Sequence, residues 1–532
     1  MSARTRERWN KITVALMLAV AAGVRLAGIG WGLPTAQRFY SYHPDEAPLL
    51  GAVVNMILHG DLNPHFFNYG TLYLYLVAIP AGIMRILSPG SLGQIFLTGR
   101  LVTVALGVLT VLVVYETGKA AGSRRLGVVA GWVLALLPMH VLHSHFATVD
   151  VAATFFVALV LLAAAHITTR AELSWYLIGG LGAGLAAATK YNAGLVILAL
   201  LVASGLGVGQ GRYHIPPKEW FYLSLLVAVL AFLAACPFVI EFSGGPHLGR
   251  EFVRDLTFEL RHAQQGGTAA FLGVGNGWAY HLARGLGAGL GYPLLLLALA
   301  GAGLAVWSIG RPAAPGLVFG AAHFLLIGLG REYFMRYLMP LTPLLALWTA
   351  GLLVWCYEMA EGQKSRLGMA TVALVGVTVW GVTSWYALGQ LAPLTHPDAR
   401  ALAGQALLAE KGRIGLPEPP WYFSPDVTPY NGGPLSAAQS AQDPRLLITG
   451  WDAAVLARQR PPWVAVSDLQ TVPWVRTGNP EVRNYLAYLD REYRVQGVYE
   501  SDVPGPALGP AKDDCPPDWL YARARITVYR SK

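Results

Sequence analysis

Two carboxylates stand side by side in Arg38-Phe39-Tyr40-Ser41-Tyr42-His43-Pro44-Asp45-Glu46-Ala47-Pro48, just beyond the first apolar run. Ionised groups beside a bilayer are costly to keep, which marks Asp45, Glu46 and the adjacent His43 as candidates for chemistry. The alternative is that Asp45 and Glu46 decorate the first turn of a helix after Pro44, where negative charge suits the dipole. Further along, Asn63, His65 and Tyr69 lie among aromatic rings in Asp61-Leu62-Asn63-Pro64-His65-Phe66-Phe67-Asn68-Tyr69-Gly70-Thr71. Hydrogen-bonding side chains beside a stacking surface suit a sugar, and they equally suit an interfacial aromatic belt. The stretch Met139-His140-Val141-Leu142-His143-Ser144-His145-Phe146-Ala147-Thr148-Val149-Asp150 adds another carboxylate, Asp150, which is either a further chemical group or a helix cap. Imidazole and carboxylate suit zinc or manganese. This makes His43, His143 and His145 candidate ligands, with hydrogen-bonded interfacial side chains as the other reading. No cofactor is firmly implied, and a divalent metal stays open.

Two basic elements complete the set. Lys190 and Tyr191 lie in Thr189-Lys190-Tyr191-Asn192, and Arg331, Arg336 and Tyr337 lie in Gly330-Arg331-Glu332-Tyr333-Phe334-Met335-Arg336-Tyr337. An outward Arg pair opposes the usual charge bias of membrane proteins. Lys190, Arg331 and Arg336 are therefore candidate phosphate ligands, with snorkelling to lipid headgroups as the alternative. Carboxylates that can take a proton from a hydroxyl, facing cations that can hold a departing phosphate, are the parts needed for group transfer from a phosphate ester.

The elements that must position these groups are membrane helices. Of the 532 residues, 54% are hydrophobic and 13% charged, against about 25% charged in soluble domains. Apolar runs near 11–30, 71–87, 94–115, 126–143, 149–167, 174–190, 193–209, 219–241, 286–309, 313–330, 336–357 and 367–388 read as spans. Arg4 to Lys11, Arg124–Arg125, Arg170, Arg212 with Lys218, Arg311, and Lys364 with Arg366 share the cytoplasmic side if one run does not cross. The run 71–87, with Pro80 and Arg85, is the best choice for an outer interfacial helix. About eleven spans then remain. The N-terminus is expected inside, with the first run retained as a span, and the segment 391–532 is expected outside.

The expected domains are a membrane module over 1–390, with an outer loop at 31–70, and an extracytoplasmic α/β domain over 391–532. In the latter, 397–411 and 479–492 read as helices and 446–449, 463–467 and 524–529 as strands. Cys515 is the only one of three cysteines in this segment, so no disulfide framework forms within it. The net charge of +9 lies mostly in loops between spans and points to membrane lipids or a phosphate-bearing substrate rather than nucleic acid.

His43-Pro44-Asp45-Glu46 after the first span resembles the first-loop acidic motif of GT-C glycosyltransferases. The closer resemblance is to family 39, the protein O-mannosyltransferase and aminoarabinose transferase branch. Tyr69-Gly70-Thr71-Leu72-Tyr73, Arg100-Leu101, His145-Phe146-Ala147-Thr148-Val149-Asp150, Thr189-Lys190-Tyr191 and Arg336-Tyr337-Leu338-Met339-Pro340-Leu341 fit the same pattern. His396-Pro397-Asp398-Ala399-Arg400 is similar to the start of the soluble tail in bacterial relatives.

The resemblance spans roughly residues 8–400. It implies a GT-C-like bundle, a polyprenyl-phosphate sugar donor, and an acceptor (protein, glycan or lipid) at the outer face. It further implies Asp45 as the base, Glu46 and Asp150 as assistants, and a single inverting displacement. Asn63-Pro64-His65 stands where the aminoarabinose branch carries an acidic–basic pair, which leaves the sugar open. Sugar or acceptor contacts are expected from His43, Asn63, His65, Tyr69, His145, Tyr191 and Tyr337. The competing readings are a transporter or lipid flippase, which would favour ionisable residues at mid-membrane, and a receptor-like scaffold.

Overall fold

Backbone groups in lipid can bond only within their own segment, so apolar runs fold as helices, and each of the runs named above contains helix. The computed structural model describes residues 3–35, 38–87, 92–206, 208–210, 212–214, 217–308, 313–428, 443–501 and 507–532. Arg311 lies outside them, and the side chains of Arg4 and Arg212 are not described.

By length and composition, Glu7–Leu26, Leu92–Ala121, Val149–Thr169, Lys218–Ala235, Met335–Gly362 and Arg366–Leu408 can each cross a membrane. Gly277–Leu290 and Tyr292–Trp307, bent by 119°, form one further span if taken together. The remaining apolar helices are shorter: Glu46–His59, Leu72–Ile86, Leu173–Thr189, Tyr191–Leu206 and Ala314–Leu329.

One local expectation needs correction. The run 126–143 is not one helix: Arg124–Ala135 stops and Pro138–His143 restarts, with Leu137 extended (φ −66°, ψ 116°). A residue before proline is pushed out of the helical region. Within 31–70, the helix after Pro44 that the sequence left open does form. Glu46–His59 is a helix, closed by Gly60 in the left-handed region (φ 66°).

Val149–Thr169 is the buried axis of the bundle. Leu173–Thr189 and Lys218–Ala235 approach closely through Gly180 and Gly184. A Cβ at either glycine would meet a carbonyl oxygen, of Ser224 or Ala228, at 2.2 Å. Small residues four apart let membrane helices pack this tightly.

Beyond the long helix Arg366–Thr395, the chain forms helix Ala399–Leu408 and a five-stranded mixed sheet. Leu446–Ile448, Ile414–Leu416 and Trp463–Ser467 run parallel, and Arg525–Ser531 and Tyr493–Glu500 are antiparallel additions. Helix Pro480–Glu492 and strands near 446, 463 and 525 correspond to the sequence reading. Strands Ile414–Leu416 and Tyr493–Glu500 and helices Ala453–Gln459 and Asp468–Thr477 were not anticipated.

Candidate active site

Asp45 occupies the N-cap position of helix Glu46–His59, yet its side chain makes no capping bond. Its carboxylate reaches across to the guanidinium of Arg336, Oδ2 to Nη2 3.0 Å. Arg336 lies in the tight helical turn Met335–Leu341 that opens the helix Thr342–Gly362. The Asp45 side chain keeps 23% of its surface exposed whereas Arg336 keeps 5%, so the carboxylate is the more accessible partner.

A second pair lies beside the first. Asp150 sits in the first turn of Val149–Thr169, and Lys190 ends helix Leu173–Thr189 in an extended conformation. Lys190 Nζ donates to Asp150 Oδ1 at 2.6 Å. Tyr337 lies between the two pairs, its ring centroid 4.7 Å from Lys190 Nζ and 5.7 Å from Arg336 Cζ. The Tyr69 ring is 5.9 Å from Lys190 Nζ. Paired carboxylates and cations around two tyrosine rings thus form one cluster at one end of the bundle. Each cation carries a charge that a phosphate could claim in place of its carboxylate.

His43 packs behind Asp45, its ring 4.5 Å from Phe146 and 5.1 Å from Tyr521. Its Nδ1 accepts the Asp45 backbone N–H at 3.3 Å. Burial, reinforced by Arg336 and opposed by Glu46, pushes the imidazole well below its ordinary range, so it is neutral. This bonding assigns its proton to Nε2, which is buried and has no partner among the described residues. His143 is fully buried, with Nε2 3.6 Å from Asp518 Oδ2.

Several candidates fall elsewhere. Glu46 does not face the cluster. It is fully buried in an ion pair with Arg100, its Oε1 accepting Arg100 Nε (2.8 Å) and Ala147 N–H (2.7 Å) and its Oε2 accepting Arg100 Nη2 (2.7 Å). With three N–H groups on its two oxygens, it holds the first loop against the chain leading to Asp150.

His145 places its two ring nitrogens 2.9 and 2.8 Å from the carbonyl oxygens of Val141 and Ala27, so both nitrogens face backbone rather than the cluster. His65 is half-exposed and paired with Asp61 and Glu251, and Asn63 joins that surface network. The Tyr191 hydroxyl is bonded to the carbonyls of Phe67 and Tyr69, both at 2.9 Å. It shapes the Tyr69 loop and does not reach into the cluster. Arg331 is exposed and makes no side-chain ion pair with the cluster among the described residues. No group of three or more His, Cys, Asp or Glu side chains able to hold a metal occurs among the described residues.

The C-terminal segment contributes residues the sequence reading missed. Asp518 is buried and caps the turn carrying Arg336, Oδ1 accepting the Met335 N–H (2.9 Å) and Oδ2 the Arg336 N–H (2.8 Å). Tyr521 is buried against His43, and burial raises its hydroxyl well above the ordinary range despite Arg336. Tyr42 is sandwiched between Arg38 and Arg400, whose Cζ atoms lie 3.6 and 3.7 Å from its ring centre. Asp426 pairs with Arg38 at 3.0 Å and accepts the Tyr42 hydroxyl at 2.9 Å. Asp398 binds Arg400 at 2.7 Å and accepts Trp31 Nε1 at 3.1 Å. These contacts clamp the segment beyond residue 395 onto the first loop. The only sequence signals were Pro516-Pro517-Asp518 and the His396–Arg400 stretch.

The fold is that of the GT-C glycosyltransferases, and the resemblance read from the sequence is borne out. Oligosaccharyltransferase from Archaeoglobus fulgidus in the apo form aligns over 97% of this chain and 76% of its own, at 13% identity and TM-score 0.51. The same enzyme tethered to an acceptor peptide aligns with TM-score 0.52 at 12% identity, over 97% and 75% of the two chains. Apo ArnT from Cupriavidus metallidurans aligns over 99% and 98% of the two chains, at 15% identity and TM-score 0.51. No curated protein matches the chain in sequence. Residues 83–238 match the family described as dolichyl-phosphate-mannose-protein mannosyltransferase. That segment carries Arg100, Asp150 and Lys190.

Proposed function

We propose that the protein is a membrane glycosyltransferase that moves a sugar from a polyprenyl-phosphate carrier to an acceptor (protein, glycan or lipid) at the outer membrane face. The observation that carries this reading is the single cluster of Asp45–Arg336 and Asp150–Lys190, with Tyr69 and Tyr337 between them. The family description of residues 83–238, which names a dolichyl-phosphate-linked sugar, supports the donor class.

In this reading the donor phosphate competes with the carboxylates for Arg336 and Lys190. Its arrival frees Asp45, which takes the acceptor proton as the acceptor atom forms its bond to the anomeric carbon. The bond from that carbon to the phosphate oxygen breaks in the same step, with inversion. Arg336 and Lys190 neutralise the charge on the departing polyprenyl phosphate. Asp150 fixes Lys190, and His43 orients Asp45 through its backbone. The polar groups gather at one end of the bundle, which favours transfer over the transporter reading. We assign the N-terminus to the cytoplasm, about eleven spans to the bundle, and residues 391–532 to the outside, where they cover the acceptor side.

Membranes containing the protein, given labelled polyprenyl-phosphate hexoses, test the reading. Release of polyprenyl phosphate with label moved to an acceptor is expected. Absence of both turnover and donor binding would contradict it.

A further inference from the structure

A groove of about 720 Å³ opens on the side of the bundle, and none of Asp45, Asp150, Lys190 or Arg336 lines it. It is walled by Val128 and Trp132 of Arg124–Ala135, Leu353 and Val354 of Thr342–Gly362, and Val377 and Trp380 of Arg366–Thr395. Its volume falls in the range of about 300–1,000 Å³ typical of ligand sites. Gly376 helps to make it: a Cβ there would meet only Leu353, at 3.5 Å, so a missing side chain leaves the space open. The floor is fixed by the Trp132 and Trp380 rings, edge to face at 5.8 Å, and by the Trp380 Nε1 bond to the Trp132 carbonyl at 3.3 Å.

One end of the groove is basic, formed by Arg124 and Arg125. The helix that starts at Arg124 leads into Pro138–His143 and on to Asp150, so this end faces the leaflet opposite the Asp45 cluster. The two arginines differ. Arg125 is balanced by Glu361, at 2.7 and 3.3 Å, and lies over the Tyr357 ring at 5.4 Å. Arg124 is half-buried, and its Nε is buried with no hydrogen-bond partner among the described residues. A buried donor without an acceptor is costly. A guanidinium in that position, at the head of an apolar trough, fits an anion that brings its own hydrocarbon.

We propose that this groove holds one anionic phospholipid, its phosphate on Arg124 and an acyl chain lying along Val128, Trp132, Val377 and Trp380. The site does not need the transferase reading. Its basic end matches the attraction of anionic leaflets for membrane-proximal arginine, and the ammonium of a zwitterionic headgroup would offset part of the attraction between its phosphate and Arg124.

The test is native mass spectrometry of the full chain released from micelles holding equal phosphatidylglycerol and phosphatidylcholine, at one lipid per protein. Wild type is expected to retain phosphatidylglycerol about fivefold over phosphatidylcholine, the ratio for ~1 kcal/mol per surface cation. Arg124→Gln is expected to equalise the two lipids, and Ala373→Phe, which fills the trough from its exposed wall, to reduce retention of both. Arg170→Gln, another exposed cation, is expected to keep the wild-type ratio. Equal retention by wild type, an unchanged ratio in Arg124→Gln, undiminished retention in Ala373→Phe, or a lost ratio in Arg170→Gln would each overturn the proposal.

Discussion

Replacing Glu46 with Gln keeps the side chain's size and removes the charge that balances Arg100. In the native arrangement three N–H groups, Arg100 Nε, Arg100 Nη2 and Ala147 N, converge on its two oxygens at 2.7–2.8 Å. Gln offers one oxygen and turns an NH2 toward the remaining donors. Arg100 keeps the carbonyls of Ile29 (2.8 Å) and Trp31 (2.5 Å) and at most one uncharged amide oxygen at position 46. Breaking one side of a buried ion pair costs about 3–5 kcal/mol, because the surviving charge stays buried.

The folded fraction can be followed in mixed micelles titrated with SDS, reading exposure of the buried thiol Cys236. Glu46→Gln and Arg100→Met are each expected to unfold at lower denaturant than wild type. The double variant is expected to lose less than the sum of the singles, by about 1–3 kcal/mol, since the second change removes a charge already stranded. Additive losses, or a Glu46→Gln midpoint equal to wild type, would refute the assignment of Glu46 as a positioning group.

Asp518→Ala leaves the Met335 and Arg336 N–H groups without their acceptor. A loss of about 1–3 kcal/mol for each such group is expected, with turnover falling more than expression; unchanged turnover would show that the C-terminal segment does not position Arg336. Gly70→Ala would place a methyl 2.0 Å from the Ala188 carbonyl oxygen. It is expected to displace the Tyr69 loop from Lys190 and to lower both turnover and the unfolding midpoint in the same titration. His65→Ala alters only the surface network with Asp61 and Glu251, so turnover within twofold of wild type is expected, and a large loss would return His65 to the site.

The gathering of acids and bases at one face was legible, though not their pairing, because charged residues at the ends of apolar runs have few reasons to be there. Asp45, Asp150, Lys190 and Arg336 all declare themselves this way. Glu46 carries the same local signal, and only the three-dimensional position of Arg100, 54 residues on, reassigns it to a structural role. His145 likewise looks like a ligand in sequence and proves to be committed to backbone carbonyls.

Asp518 and Tyr521 were illegible because their partners are nearly two hundred residues or more away and the local sequence shows only a Pro-Pro-Asp turn. Strand Tyr493–Glu500 escaped notice because it lies largely exposed and a register shift between Val495 and Gly497 breaks its alternation. The break before Pro138 was encoded by the proline itself, inside a run whose hydropathy alone suggested continuity.

The most direct test compares wild type with Asp45→Asn in membranes supplied with labelled polyprenyl-phosphate hexose, following release of polyprenyl phosphate and transfer of label. Asn preserves the shape of the side chain facing Arg336 and removes its capacity to take a proton. The account predicts turnover by wild type and loss of at least about a hundredfold in a folded, normally expressed Asp45→Asn, the low end of what general base catalysis supplies. Wild-type rates in Asp45→Asn would contradict it.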